Sequence, residues 1–192
     1  MTDQAQSRSE SSDSPSRVRL GFWEPENEEF WSTRGSSIAN RNLWISIPNL
    51  LCGFAVWLCW SMIVGWIQGL HETNKEVFAF LGPDGKVLTG DAYRGMLYTL
   101  PAIAGLSGAT LRIPNSFMIA ISGGRNVIGL TSLLLIVPAV GIGIALKDPN
   151  VSFMSLAILA LLSGVGGGAF ASSMSNISFF FPKKMQIGRA HV

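Results

Sequence analysis

The chain predicts an all-α integral membrane protein, and three observations carry that expectation: charge is scarce, it is confined to gaps between long apolar runs, and those runs match a bilayer in length. Of its 192 residues, 48% are apolar and only 14% are charged. Hydrocarbon leaves a backbone no water to bond, so a spanning segment must satisfy its own peptide groups. A helix does so with about 20 residues across about 30 Å of hydrocarbon. The formal net charge of +2 decides nothing by itself; its distribution decides more.

Residues 1–42 read as a cytoplasmic tail. They carry Ser, Glu, Asp and Arg without the short apolar core of a cleavable export signal, and Met1–Ser16 is expected to be disordered. From Pro25 onward the sequence Pro-Glu-Asn-Glu-Glu-Phe-Trp suits a short amphipathic helix, with acids in its first turn and Trp23, Phe30 and Trp31 fit for a membrane interface. A solvated tail bearing a few aromatic side chains fits the same residues.

Residues 43–186 hold four apolar runs: Leu43–Leu70, Arg94–Ile121, Asn126–Leu146 and Val151–Pro182. Each approaches or exceeds a bilayer's thickness. The last is too long to lie wholly in hydrocarbon, so it is expected to tilt or to project beyond the membrane before Pro182 stops it. Arg34, Arg41, Arg125, Lys183 and Lys184 fall on one side of such an arrangement, whereas Lys75, Lys86 and Lys147 on the other are accompanied by acids. That asymmetry leans towards a cytoplasmic N-terminus. Between the first two runs, Leu81-Gly82-Pro83-Asp84-Gly85-Lys86-Val87-Leu88 is a turn between short extended stretches and predicts a small hairpin.

Arg112 is the most informative residue. It stands with Pro114 inside an otherwise apolar run. A guanidinium at the centre of a span costs about 2.5–3.5 kcal/mol on insertion scales, so it must face protein or a water-filled cavity. Its natural partner is an anion. The fourth run supplies a second signal: Gly164, Gly168, Ser172 and Asn176 recur every four residues, flanked by Ser163, Gly167, Ala171 and Ser175. Small side chains at that spacing let a neighbouring helix approach closely. Tight packing, centred on Gly164, Gly167, Gly168, Ala171 and Ser172, is the simpler reading; a helix that rocks against its neighbour fits as well. Phe170 interrupts the small-residue face with a ring that either fills a gap or stacks on a planar ligand. Phe179, Phe180 and Phe181 suit a membrane interface, with Lys183 and Lys184 beyond them.

Other chemistry is thin. Cys52 and Cys59 fall within the first run without a nearby His and read as buried packing thiols, so no metal site is expected. His71-Glu72 lacks the second His of a zinc-protease helix. Gly82, Gly85 and Lys86 lack the spacing and the strand-to-helix setting of a phosphate loop. Asn150-Val151-Ser152 and Asn176-Ile177-Ser178 match the glycosylation triplet, a short pattern that arises often by chance. No nucleophile, base and oxyanion site assemble, so neither an enzyme, a cofactor nor a nucleic-acid partner is expected.

Arg41-Asn42-Leu43-Trp44-Ile45-Ser46-Ile47-Pro48, Leu111-Arg112-Ile113-Pro114-Asn115-Ser116-Phe117-Met118, Gly123-Gly124-Arg125 and above all the stretch from Phe170 to Lys183, Phe-Ala-Ser-Ser-Met-Ser-Asn-Ile-Ser-Phe-Phe-Phe-Pro-Lys, resemble the bacterial nitrate/nitrite porters of the major facilitator superfamily. The resemblance runs from about Phe22 to Gln186. It implies the first four transmembrane helices of a twelve-helix fold in the cytoplasmic membrane, built as two six-helix halves with substrate near the midplane. It implies transport of nitrate or nitrite, or both, by alternating access, with Arg112 as one arm of an arginine clamp and Phe170 stacked on the anion's plane. The alternative from another class is a small four-helix membrane interaction protein without transport.

Departures accompany the resemblance. Asn115 stands where some relatives carry an aromatic residue and Ala169 where a relative can carry Asn; the outer loop is longer, and Gly123-Gly124-Arg125 is a reduced form of the superfamily's loop between its second and third helices. After Gln186 the family would continue into a Gly- and Asn-rich fifth helix. Residues 187–192, Ile-Gly-Arg-Ala-His-Val, instead read like a translated sequencing adapter, so a non-native tail is expected there and a fragment inactive by itself, lacking its C-terminal helices.

Overall fold

The computed structural model of the chain describes residues 23–187. The expectations for Met1–Ser16 and for the tail beyond Ile187 lie outside the described residues. The described chain is helical apart from connecting loops and one isolated antiparallel bridge, Leu81 to Val87. Helix α1 (Glu28–Phe30) runs through a π-helical turn (Trp31–Gly35) into α2 (Ser36–Thr73); α3 (Gly90–Ser122), α4 (Gly124–Ala145), α5 (Phe153–Phe180) and α6 (Lys183–Ile187) follow.

Several of these starts and stops have a local cause. Asn27 caps α1, its side-chain oxygen accepting from the backbone N–H groups of Glu29 and Phe30. Ser152 caps α5 through Ser155 N–H. Gly123 alone separates α3 from α4, at φ 76°, a region that costs a side-chain-bearing residue dearly. Its neighbour Gly124 is needed as well, because a Cβ there would fall on the side-chain oxygen of Asn176.

Three helical stretches are long and apolar enough to cross a bilayer: Glu28–Thr73, Gly124–Ala145 and Phe153–Phe180. The four expected spans therefore reduce to three on length and composition. Helix α3, with 33 residues, is long enough; Tyr98, Thr99, Thr110 and Arg112, with Pro101 and Pro114, dilute its apolar content.

Helix α5 is the hub, packing on α2, α3 and α4, most extensively on α3. The bundle has two unlike halves. Towards the 74–89 loop lies an apolar core of Trp60, Ile63, Val64, Ile67, Phe78, Leu97, Leu100, Leu156 and Ala160. Towards the other end α3 and α5 meet through small residues. The loop closes the oily half: Gly82 N–H bonds to Lys86 O at 2.8 Å and Leu88 N–H to Phe80 O at 2.9 Å, which forms the expected hairpin turn. Phe78 adopts φ 53° and is held there from both sides, its N–H donating to Pro149 O and its carbonyl accepting from Tyr93 Oη. His71 is buried beneath, stacked on Tyr93 at 4.1 Å and bonded through Nδ1 to Val77 O.

At the opposite end the 23–31 segment docks on the end of α5. Trp23 Nε1 donates to Phe179 O at 3.2 Å, Trp23 packs edge-on against Phe180, and Trp31 lies tilted against Phe181. Lys183 N–H donates to Glu26 and Lys184 Nζ pairs with Glu28 at 2.7 Å. Two aromatic groups read as separate interface anchors thus cover each other, although Phe179 remains exposed. Of the cysteines, Cys52 faces outward and Cys59 is half-buried, so the expectation of two buried thiols fails for Cys52.

Candidate functional site

Arg112 lies near the middle of the α3–α5 crossing, half-buried. Glycines create the space for it. A Cβ on Gly168 would sit 2.8 Å from both Asn115 Nδ2 and Leu111 Cβ, and one on Gly167 would sit 3.1 Å from Gly108 Cα. One on Gly164 would fall on the Ser107 hydroxyl. Any larger side chain in this stripe would push α3 away from α5. Ser172 is fully buried and returns its hydroxyl to Ala169 O, whereas Ala171 is half-buried.

With the helices this close, Arg112 Nε reaches Gly167 O at 3.3 Å. Its guanidinium carbon lies 5.6 Å from the Phe170 ring centroid and 5.8 Å from that of Trp57, within the range of cation–π attraction. Phe54, one turn before Trp57 on α2, contacts both Trp57 and Phe170 at 5.9 and 5.4 Å between centroids. Among the described residues the ion pairs are Arg94–Glu72 and Lys184–Glu28, and no carboxylate pairs with Arg112. Its terminal nitrogens make no hydrogen bond among the described residues either, which leaves the planar fork of the side chain for something else.

The structure therefore brings Arg112 and Phe170 together, and sets Gly164, Gly167 and Gly168 against α3. It adds two residues that sequence reasoning passes over, Phe54 and Trp57. Their spacing of three places both rings on one face of α2, the only sequence-level signal for them. Asn115 is also buried here, 6% exposed, one turn beyond Arg112. Among the described residues no three His, Cys, Asp or Glu side chains are grouped to hold a metal ion. A shallow hollow lined by Pro25, Glu26, Glu28, Trp31, Lys184 and Met185 belongs to the docked N-terminal segment and is remote in the bundle from Arg112.

No family model matches the chain. The nitrate/nitrite transporter NarU of Escherichia coli (strain K12) is 44% identical over 171 residues, 89% of this chain and 33% of the relative. NarU of Salmonella typhimurium is 42% identical over 170 residues, 88% of this chain and 33% of the relative. The probable nitrate/nitrite antiporter NarK2 of Thermus thermophilus is 34% identical over 164 residues, 85% and 32% of the two chains. These relatives are transporters, not enzymes, and the chain spans about a third of their length. Over that third the chain is homologous to these nitrate/nitrite transporters.

Proposed function

We propose that residues 43–186 form helices one to four of a twelve-helix porter that moves nitrate, nitrite or both across the cytoplasmic membrane by alternating access, with the N-terminus in the cytoplasm. Arg112 is one arm of the anion clamp, and Phe170 stacks against the anion's plane. The remaining helices of the fold supply the second arm and the second bundle.

The observation that carries this reading is the state of Arg112. A permanently charged group inside a bundle needs an anion, and no carboxylate among the described residues pairs with it. Its guanidinium is anchored at Nε and flanked by the rings of Trp57 and Phe170, while its terminal nitrogens are free of protein bonds among the described residues. Nitrate and nitrite are planar and offer oxygens in pairs, so a guanidinium can donate two parallel hydrogen bonds to either. An ammonium cannot copy that geometry.

The test places this segment in a full-length transporter, in exchange for the matched third of the Escherichia coli relative, and measures nitrate uptake. Arg112→Lys is expected to abolish uptake with membrane insertion unchanged, since charge is kept and only the fork is lost. Undiminished uptake by that variant would remove Arg112 from the site.

A further inference from the structure

We propose that Trp57 is a positioning residue for Arg112: its indole, wedged where α2, α3 and α5 meet, fixes the plane of the guanidinium and so the preference for flat anions. The proposal rests on the anion-transport reading above and adds a residue to that site.

An arginine side chain has many rotamers, and a fork is useful only when its plane is held. Nε of Arg112 makes one bond, to Gly167 O, and one bond leaves rotation about its own axis free. Two ring faces remove that freedom. Phe170 holds one position on α5, yet a phenyl ring has no polar handle to fix it. Trp57 has one: Nε1 donates to Ala104 O on α3 at 2.7 Å.

The indole is also held sterically, and glycines on two helices make its slot. A Cβ on Gly108 would sit 2.9 Å from Trp57 Nε1, and one on Gly167 would sit 3.0 Å from its Cε2. Gly167 thus serves twice, giving its carbonyl to Arg112 and its missing side chain to Trp57. Phe54 closes the box by touching both Trp57 and Phe170. The slot spans three helices, so the ring that sets the guanidinium plane also senses how α2, α3 and α5 lie relative to one another. A buried indole N–H needs a partner in any role; what a space-filling Trp would not need is the guanidinium over its face.

The experiment uses the same full-length transporter and reads KM, maximal rate, membrane abundance and the preference for planar nitrate over pyramidal chlorate. Trp57→Leu is expected to raise KM for nitrate by roughly tenfold and to erode the preference, with maximal rate and abundance little changed. Trp57→Phe, which keeps a ring face, is expected to restore most of the preference. Where Trp57→Leu fails to insert, fluorinated tryptophans at position 57 decide the matter, because they keep volume and N–H while draining the ring's negative face. A KM that climbs stepwise with fluorine content supports the proposal. Unchanged KM and preference across the fluorinated series, or a fall in maximal rate alone, overturns it. Failure of the unsubstituted transporter to move nitrate, or indifference to Arg112→Lys, would instead overturn the transport reading itself.

Discussion

The side chains of the α3–α5 crossing work by being absent. Along α5 small or short polar residues recur every fourth position from Ala160 to Asn176, and that periodicity is legible in the order of residues alone, because a 3.6-residue helix stacks such positions on one face. Gly166 stands off that stripe and is not legible in the same way: it faces α2, where a Cβ would fall on the carbonyl oxygen of Gly53. Gly166→Ala is therefore expected to destabilise the bundle by about 1–3 kcal/mol, since the obstacle is backbone and cannot swing aside. Gly65→Ala, with nothing within 4 Å of the new methyl, is the control and should be neutral or slightly stabilising. Unfolding in mixed detergent with increasing SDS measures both. Arg112 is legible for the opposite reason, as the one cation in an apolar run. Trp57 is not, because its partner lies 55 residues further along the chain and a sequence records neighbours in order, not in space.

Elements present the same contrast. Length and apolarity mark where helices run, but the ends move: α2 begins at Ser36, before the apolar run that announces it, because the polar turns ahead of it remain helical. Trp23, Trp31, Phe180 and Phe181 each look like interface residues taken singly, and polarity alone cannot say whether a ring is covered by lipid or by another ring. The docked segment also has an electrostatic contribution. The hydrogen bond and charge of Glu28, with Glu26 nearby, push the Lys184 ammonium above its ordinary range. A raised value means the contribution is complete below the usual lysine pKa and is lost as pH rises through the higher one. Both groups are fully exposed, so salt screens the pair and its effect is small. Limited proteolysis between residues 23 and 35 is expected to be flat through neutral pH and to accelerate at strongly alkaline pH, where Lys184 loses its proton, and again at acid pH, where Glu28, held below its ordinary range by Lys184, gains one. In Lys184→Gln that alkaline step should vanish; a step that persists would mean the pair does not hold the segment.

The bundle buries polar side chains beside its apolar core and turns large apolar ones outward. Ser46, Asn115, Thr131, Ser163, Ser172, Ser173 and Asn176 are buried, while Ile121, Met62, Leu106 and Trp44 are more than two-thirds exposed. Water would not tolerate that surface, and hydrocarbon asks for it. Helix α4 makes the division plain, with Thr131, Leu135, Pro138 and Ile142 turned inward and Leu133, Val137, Val140 and Ile144 outward. Leu133→Arg is expected to cost about 2.5–3.5 kcal/mol on insertion and to lower the alkali-resistant membrane fraction. A Leu133→Arg chain recovered in full from alkali-washed membranes would show that this face does not meet lipid. The single residue Gly123 between α3 and α4 carries a further consequence. One residue has two soft torsions, too few for the helices it joins to slide past one another. Whatever shifts the end of α3 along its axis must carry the start of α4 with it, while the same glycine leaves the two free to pivot, so the joint's only play is angular.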